Sequence, residues 1–144
     1  EKVSKIYIST DNKIIADYAK IKNIEVIMRS NKLGGETPLI EVYKDALHKI
    51  KNKNIDILAG VQPDHPDRNI SLDNSLQIFK NQNLDLLSST ELDSKKNGAH
   101  HIMSVKSMIA GEFLNKGVIQ DDCTNIHYQS DILLAEERLK RLKQ

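Results

Sequence analysis

Short apolar runs and segments with helical spacing alternate along the chain. The apolar runs predict strands at residues 3–8, 24–28, 55–61, 84–90, 101–105 and 124–128. Apolar residues that recur every three or four positions predict helices near residues 13–19, 38–50, 71–79, 108–114 and 130–139. This alternation predicts the α/β class, with a three-layer, open, mostly parallel sheet in which strand 55–61 is central.

Polar residues that favour helix N-caps precede the helical segments, and glycine marks a turn. The predicted caps are Asp11 or Asn12, Thr37 before Pro38, Ser71 and Ser130. In the first helix, the spacing of Ile14, Ile15, Tyr18 and Ala19 predicts one apolar face. Asn97-Gly98 is predicted to form a turn.

Composition narrows the functional classes. The chain has 144 residues, the size of a single domain over residues 1–144. A net charge of +1 argues against a nucleic-acid partner, because such domains concentrate a larger excess of Lys and Arg. No apolar run has the length of a membrane span, and the single Cys123 cannot form an internal disulfide. We therefore expect a cytoplasmic protein without a membrane partner.

Three polar loops follow predicted strands, at residues 9–12, 29–37 and 62–68. In open α/β sheets, ligands bind beyond the carboxyl ends of the strands, where such loops converge. We expect these three loops to form the site.

These loops and two later segments carry a family resemblance. The motifs are, in order, Ser9-Thr10-Asp11, Arg29 with Leu33-Gly34-Gly35-Glu36-Thr37, Gln62-Pro63-Asp64-His65-Pro66-Asp67-Arg68, Asn97-Gly98-Ala99, and Ser130-Asp131 through Ala135-Glu136. Together they resemble the cytidylyltransferases that activate acidic sugars, which include the acylneuraminate and 3-deoxy-manno-octulosonate enzymes. The third motif combines the Q-P-T-S-P-L-R pattern of the first branch with the aspartate of Q-G-D-E-P in the second.

The resemblance implies a Rossmann-like nucleotide-diphospho-sugar transferase fold and a reaction. A cytidylyl group would pass from CTP to the anomeric hydroxyl of an acidic eight- or nine-carbon 3-deoxy-2-keto sugar, releasing pyrophosphate with Mg²⁺, as in surface polysaccharide biosynthesis. The implied substrate- and nucleotide-binding residues are Ser9, Asp11, Arg29, Thr37, Gln62 and Arg68, and the implied metal ligands are Asp64 and His127. No catalytic residue is assigned. The family also allows a homodimer.

The sequence departs from the family in three places. Nothing in it matches the basic glycine-rich loop A-R-G-G-S-K that wraps the triphosphate, and the dimerisation arm is reduced to residues 91–96. Ile126-His127-Tyr128 stands where the family has I-D-T or I-D-I-D. These departures leave an alternative open, a non-catalytic domain of this family that binds a sugar acid or a partner protein.

Simpler interpretations of the same residues remain. Residues 62–68 form, in one alternative, a proline-stiffened loop with solvated charges. Arg29 is alternatively paired at the surface with Glu25 or Glu36. A zinc site of His65, His100, His101, His127 and Asp64 is disfavoured because neighbouring residues of a strand point to opposite faces. Asp121 and Asp122 should raise the pKa of Cys123, which disfavours a cysteine nucleophile.

Overall fold

The computed structural model describes residues 3–35, 37–50 and 54–142. The chain divides into two compact units, Glu1–Ile55 (unit 1) and Asp56–Gln144 (unit 2). Helices and strands alternate through most of it, and strand pairing is partly parallel and partly antiparallel, which confirms the α/β class. No helix within these described ranges is long and apolar enough to cross a bilayer.

Unit 1 is built around two parallel strands. Its elements are β1 (Tyr7–Thr10), α1 (Lys13–Ile21), β2 (Glu25–Met28), a short 3-10 turn (Asn31–Leu33) and α2 (Leu39–Lys49). β1 and β2 pair in the register Tyr7 to Glu25. Asn12 caps α1, since its Oδ1 accepts from the Ile14 N–H at 2.8 Å, so the prediction of a cap at residue 11 or 12 is confirmed.

The bulky apolar residues of α1 do not face the core of unit 1. Ile14 is 79% exposed and Tyr18 is 62% exposed, whereas Ala16 and Ala19 are each 1% exposed. Small side chains let a helix approach a sheet closely, and the Ile24 N–H donates to Ala19 O at 3.0 Å where the chain turns from α1 into β2. Of the predicted apolar face, only its alanine is buried.

The start of α2 corrects the predicted N-cap. Pro38 occupies that position and has no side-chain cap. The Thr37 hydroxyl donates instead to Gly34 O at 2.9 Å, which closes the preceding turn. It therefore does not cap the first N–H groups of α2.

Unit 2 contains a four-stranded mixed sheet. Its elements are β3 (Ile57–Gly60), α3 (Leu72–Asn81), β4 (Leu86–Thr90), β5 (Lys96–Ser104), α4 (Val105–Ala110), β6 (Lys116–Gln120) and α5 (Gln129–Leu142). The strand order is β3-β5-β4-β6. β5 is antiparallel to both neighbours, while β4 and β6 are parallel. Ser71 caps α3 as predicted, through the Asn74 N–H.

Two predictions for this sheet are wrong, the central position of strand 55–61 and the turn at Asn97-Gly98. In the described part of the chain, β3 pairs only with β5 and lies at an edge. Asn97-Gly98 is not a turn, because β5 begins at Lys96 and includes both residues. The reversal between β4 and β5 falls earlier, where the Glu91 N–H donates to Lys95 O at 2.7 Å.

The later elements also shift relative to the prediction. α4 ends at Ala110 because Gly111 adopts the left-handed conformation, with a φ of +76°. The sixth strand is residues 116–120, and the predicted strand at residues 124–128 is irregular chain. α5 begins one residue before the predicted cap Ser130, and the Asp131 carboxylate accepts from two preceding N–H groups.

An apolar cluster stabilises the sheet of unit 2. Its buried members come from α3, the following turn and three strands: Phe79, Leu84, Leu87, Ile102 and Ile119. Leu87 and Ile102 are fully buried, and each such side chain contributes about 1.5–3 kcal/mol relative to exposure. Ile57 of β3 packs against this cluster, which helps to hold the strand from which the loop of residues 62–68 extends.

Candidate functional site

The loop after β3 makes two tight turns, each with a proline as the first of its two central residues. Pro63 and Pro66 occupy this position, where a fixed φ near −65° is favourable. The His65 N–H donates to Gln62 O at 3.4 Å and closes the first turn. Asp64 and Asp67 are the second of the two central residues in their turns. The loop is thus an ordered structure in which the Asp64 carboxylate is partly exposed and the Asp67 carboxylate is buried.

Residues near the start of β5 hold this loop in place. The Gln62 N–H donates to Gly98 O at 3.0 Å, and Arg68 Nε donates to Ala99 O at 2.8 Å. Arg68 Nη2 also donates to Gln62 O. A Cβ on Gly98 would lie 1.4 Å from Gln62 Oε1, so glycine leaves the space that the Gln62 side chain occupies. The two motifs, distant in sequence, therefore form one unit of structure.

The irregular segment after β6 lies against the same loop. Asp67 accepts from the Thr124 N–H and from its hydroxyl, both at 2.8 Å. The Ile126 N–H donates to Asp64 O at 2.9 Å. The next residue, His127, is exposed. The structure thus brings Gln62, Asp64, Arg68 and the backbone beside His127 together.

Buried ionisable side chains hold the loop in place through hydrogen bonds and ion pairs. Asp121 is 1% exposed and accepts from the N–H groups of Asn69 at 2.9 Å and Ile70 at 3.1 Å. His100 Nε2 lies 3.2 Å from Asp121 Oδ2. Asp67 is fully buried and pairs with Arg138 Nε at 2.8 Å. These groups fix both ends of the segment that leads from the loop into α3.

Burial shifts the ionisation of three neighbouring groups. It lowers the pKa of His100 although Asp121 acts in the opposite direction, and it lowers the pKa of Arg68. Burial, with Asp121 next, raises the pKa of Cys123 to about 12. The predicted rise is therefore confirmed, with desolvation as its main cause. A thiol with this pKa is protonated at neutral pH and is a poor nucleophile.

Only part of the predicted metal pair suits Mg²⁺. The Asp64 carboxylate is 38% exposed, and its Oδ1 lies 2.8 Å from His65 Nδ1. Mg²⁺ usually takes one or two protein carboxylates together with substrate phosphates and water, so Asp64 fits as a single ligand. The imidazole of His127 does not fit an ion that prefers oxygen. The described residues contain no group of three His, Cys, Asp or Glu side chains placed to hold a metal.

Unit 1 gathers its own predicted residues. Arg29 Nη2 pairs with Asp11 Oδ1 at 3.2 Å, and the Arg29 N–H donates to Thr10 O at 2.8 Å. A Cβ on Gly34 would lie 3.4 Å from Asp11 Oδ2, which places the loop before Thr37 beside this carboxylate. Ser9 Oγ and Arg29 Nε are buried and lack a hydrogen-bond partner. Buried polar atoms of this kind are rare and call for a physical explanation.

The ion pairs of unit 1 also bear on the alternative in which Arg29 pairs at the surface with Glu25 or Glu36. Its partner is Asp11, whereas Glu25 pairs with Lys5. Glu36, the other proposed partner, lies outside the described residues.

Sequence reasoning missed the buried supporting residues. Each of them pairs with a residue far away in the sequence. Asn69 and Asp121 are 52 positions apart, and Asp67 and Thr124 are 57 positions apart. The sequence places Asp67 in a recognised motif but gives no sign that it is buried. Asp121 and Arg138 carry no motif.

No protein-family model matches this sequence, and no curated protein matches it either. The resemblance to cytidylyltransferases therefore rests on the motifs and their order.

Proposed function

We propose that the protein is a cytidylyltransferase for an acidic 3-deoxy-2-keto sugar of eight or nine carbons. The observation that carries this proposal is the junction of three motif segments in unit 2. The loop of Gln62, Asp64 and Arg68 is bonded to the Asn97-Gly98-Ala99 strand and to the chain beside His127. Two segments that resemble family motifs, and a third that stands at the position of a family motif, thus share one place. The proposal includes a Rossmann-like nucleotide-diphospho-sugar transferase fold, a cytoplasmic location and a homodimer.

The reaction needs positioning and charge neutralisation more than covalent help. The anomeric hydroxyl oxygen attacks the α-phosphorus of CTP, the bond to the β-phosphate breaks, and pyrophosphate leaves while the hydroxyl proton passes to solvent. In the proposal Gln62 binds sugar or nucleotide hydroxyls, and Arg68 faces the same ligand. Two of the guanidinium nitrogens of Arg68 already hold the loop, so its contribution combines charge with loop geometry.

Mg²⁺, when bound, would neutralise charge on the phosphates. Asp64 is the residue that would hold it, as a single carboxylate ligand. In unit 1, the unpartnered Ser9 Oγ and Arg29 Nε are donors suited to an anionic ligand, and Asp11 and Thr37 belong to the same proposed nucleotide- and substrate-binding set.

The second candidate function is binding without catalysis, of a sugar acid or a partner protein. One observation favours it. His127, at the position of a family metal carboxylate, is exposed and offers an imidazole. The two candidates differ in whether CTP is consumed.

Pyrophosphate release tests the proposal directly. We expect turnover with CTP, Mg²⁺ and either N-acetylneuraminate or 3-deoxy-manno-octulosonate. Asp64→Asn should lower kcat/KM by about a hundredfold or more because the cation loses its carboxylate. The matched control is Asp73→Asn, which changes an exposed carboxylate in the first turn of α3. Sugar binding without CTP consumption would support the second candidate, and full turnover in Asp64→Asn would remove Asp64 from the reaction.

A double-mutant cycle tests the junction itself. Gly98→Ala should push the Gln62 side chain from its place and raise KM for the sugar or CTP by about tenfold, because the new methyl group needs the same space. In a Gln62→Ala background, the same glycine change should have little further effect. Equal effects of Gly98→Ala in both backgrounds would contradict the assigned role of Gln62.

A further inference from the structure

His65 is the least expected residue of the candidate loop. It is 2% exposed, although histidine is often partly solvated. Its Nδ1 lies 2.8 Å from Asp64 Oδ1, and its Nε2 is buried without a hydrogen-bond partner. An ionised carboxylate only accepts hydrogen bonds, so the proton of this contact is on Nδ1.

This arrangement is costly unless the Nδ1 contact has a use. An unpartnered polar nitrogen in a buried ring destabilises the folded state, and a leucine of similar volume would avoid that destabilisation. The imidazole has one polar side-chain contact in the described part of the chain, and that contact is Asp64. The ring is therefore placed to act on this carboxylate.

Among the described residues, the hydrogen bonds of Asp64 involve its backbone and Oδ1. Its carbonyl accepts from the Ile126 N–H, and its backbone lies in the turn that contains Pro63. Its Oδ1 is held by His65, while the carboxylate as a whole remains 38% exposed. Because the backbone and Oδ1 of Asp64 are both fixed, the direction of Oδ2 is fixed as well.

We propose that His65 is a positioning residue that fixes the Asp64 carboxylate in one orientation and presents Oδ2 as a one-oxygen ligand for a divalent cation. This inference rests on the proposed function for the cation that arrives with CTP. Residues that orient metal ligands typically change metal affinity by about 10–100-fold when they are removed. His65 does not touch the cation or the substrate in this role.

Two substitutions separate the hydrogen bond from the volume of the ring. His65→Asn keeps an N–H donor at a place close to Nδ1, whereas His65→Leu keeps volume and removes the donor. His48→Leu is the control, because His48 is an exposed histidine in α2. Circular dichroism establishes that each variant is folded before binding is compared.

The readouts do not require turnover. Binding of Mn²⁺ in the presence of CTP is measured from the loss of the free-ion EPR signal beyond the loss that the same CTP causes without protein, and the tautomer of His65 is read from the ¹⁵N shifts of its side chain. We expect the Nδ1–H tautomer, an affinity about tenfold weaker in His65→Leu, and an affinity within about threefold of the native protein in His65→Asn.

Unchanged Mn²⁺ affinity in His65→Leu, or an Nε2–H tautomer, would overturn the positioning role and leave the proposed transfer reaction untouched. A native protein that binds no Mn²⁺ with CTP would overturn it as well. Pyrophosphate release, measured separately, decides the proposed function in each case.

Discussion

Helix α1 of unit 1 and the region beneath the candidate loop of unit 2 bury different kinds of side chain. In unit 1, Ile14, Tyr18 and Ile21 are 79%, 62% and 75% exposed, while small alanines form the contact of α1. In unit 2, His100 and Asp121 are at most 1% exposed. Hydrophobicity alone therefore does not decide which side chains this protein buries. Close approach decides it for α1, and hydrogen bonding decides it beneath the candidate loop.

The polar interior of unit 2 is connected rather than isolated. Asn97 Nδ2 donates to Asp121 O, and the His100 N–H donates to Ser89 Oγ, both at 2.9 Å. A buried network of this kind is favourable only when its members have partners, and it then restricts the structure to one arrangement. The loop after β3 gains its fixed geometry from this network.

Removal of a charge from the network should have the largest effect. Asp121→Ala leaves the N–H groups of Asn69 and Ile70 and the His100 ring without their acceptor, so we expect unfolding free energy to fall by about 3 kcal/mol. Urea unfolding followed by far-UV circular dichroism measures the change. The neighbouring Asp122→Ala is the control, because that side chain is 55% exposed. A loss below 1 kcal/mol in Asp121→Ala would mean that the network contributes little to the stability of unit 2.

Unit 1 should respond to size instead of charge. Ala19→Leu forces extra carbons into a contact that is 1% exposed, and we expect a loss of about 1–3 kcal/mol. Ile21→Ser, on the exposed face of the same helix, should stay within about 0.5 kcal/mol. Three of the four tyrosines, Tyr7, Tyr18 and Tyr43, belong to unit 1, so tyrosine fluorescence reports its unfolding. A large loss in Ile21→Ser would mean that this face is covered in solution.

The stability of unit 2 should also depend on pH, with a smaller effect than these substitutions have. His100 faces Asp121 and Arg68, and burial holds its pKa below the usual value near 6.5. The unfolded chain then binds the proton more readily, so stability is full above pH 6.5 and falls as the pH drops towards the pKa of the folded state.

We expect this residue to account for about 1 kcal/mol between pH 7.5 and 5.5. The decrease should shrink in His100→Asn and remain in His48→Asn, each variant being compared with its own value at pH 7.5. His101, whose pKa is also lowered, contributes a decrease that both variants retain. An equal decrease in native protein and His100→Asn would contradict the assignment.

Sequence signals with a local cause predicted the structure well. The Asn12 and Ser71 caps and the strands near residues 24–28 and 84–90 were anticipated, because a cap or an apolar run depends on a few adjacent residues. The predicted cap at Thr37 is wrong because its hydroxyl donates to Gly34 O, an alternative that residue spacing alone does not distinguish.

Signals with a distant cause were not predictable. Gly98 looks like a turn residue, yet it lies in β5 because the Gln62 side chain occupies its open side. Residues 124–128 look like a strand, yet Thr124 is bonded to Asp67, 57 positions away. The candidate residues of the loop could be named from sequence, but their burial and partners could not.

The position of β5 sets the order in which this sheet can be completed. Ile57 pairs with Ser104 and Gly60 pairs with His101, so β3 has no strand partner until more than forty further residues have been synthesised. The Gln62 amide depends on the same strand, because it donates to Gly98 O. Protection of that amide from hydrogen exchange should therefore appear late in folding, after the β4–β5 hairpin, and would mark the moment at which the loop is fixed to β5.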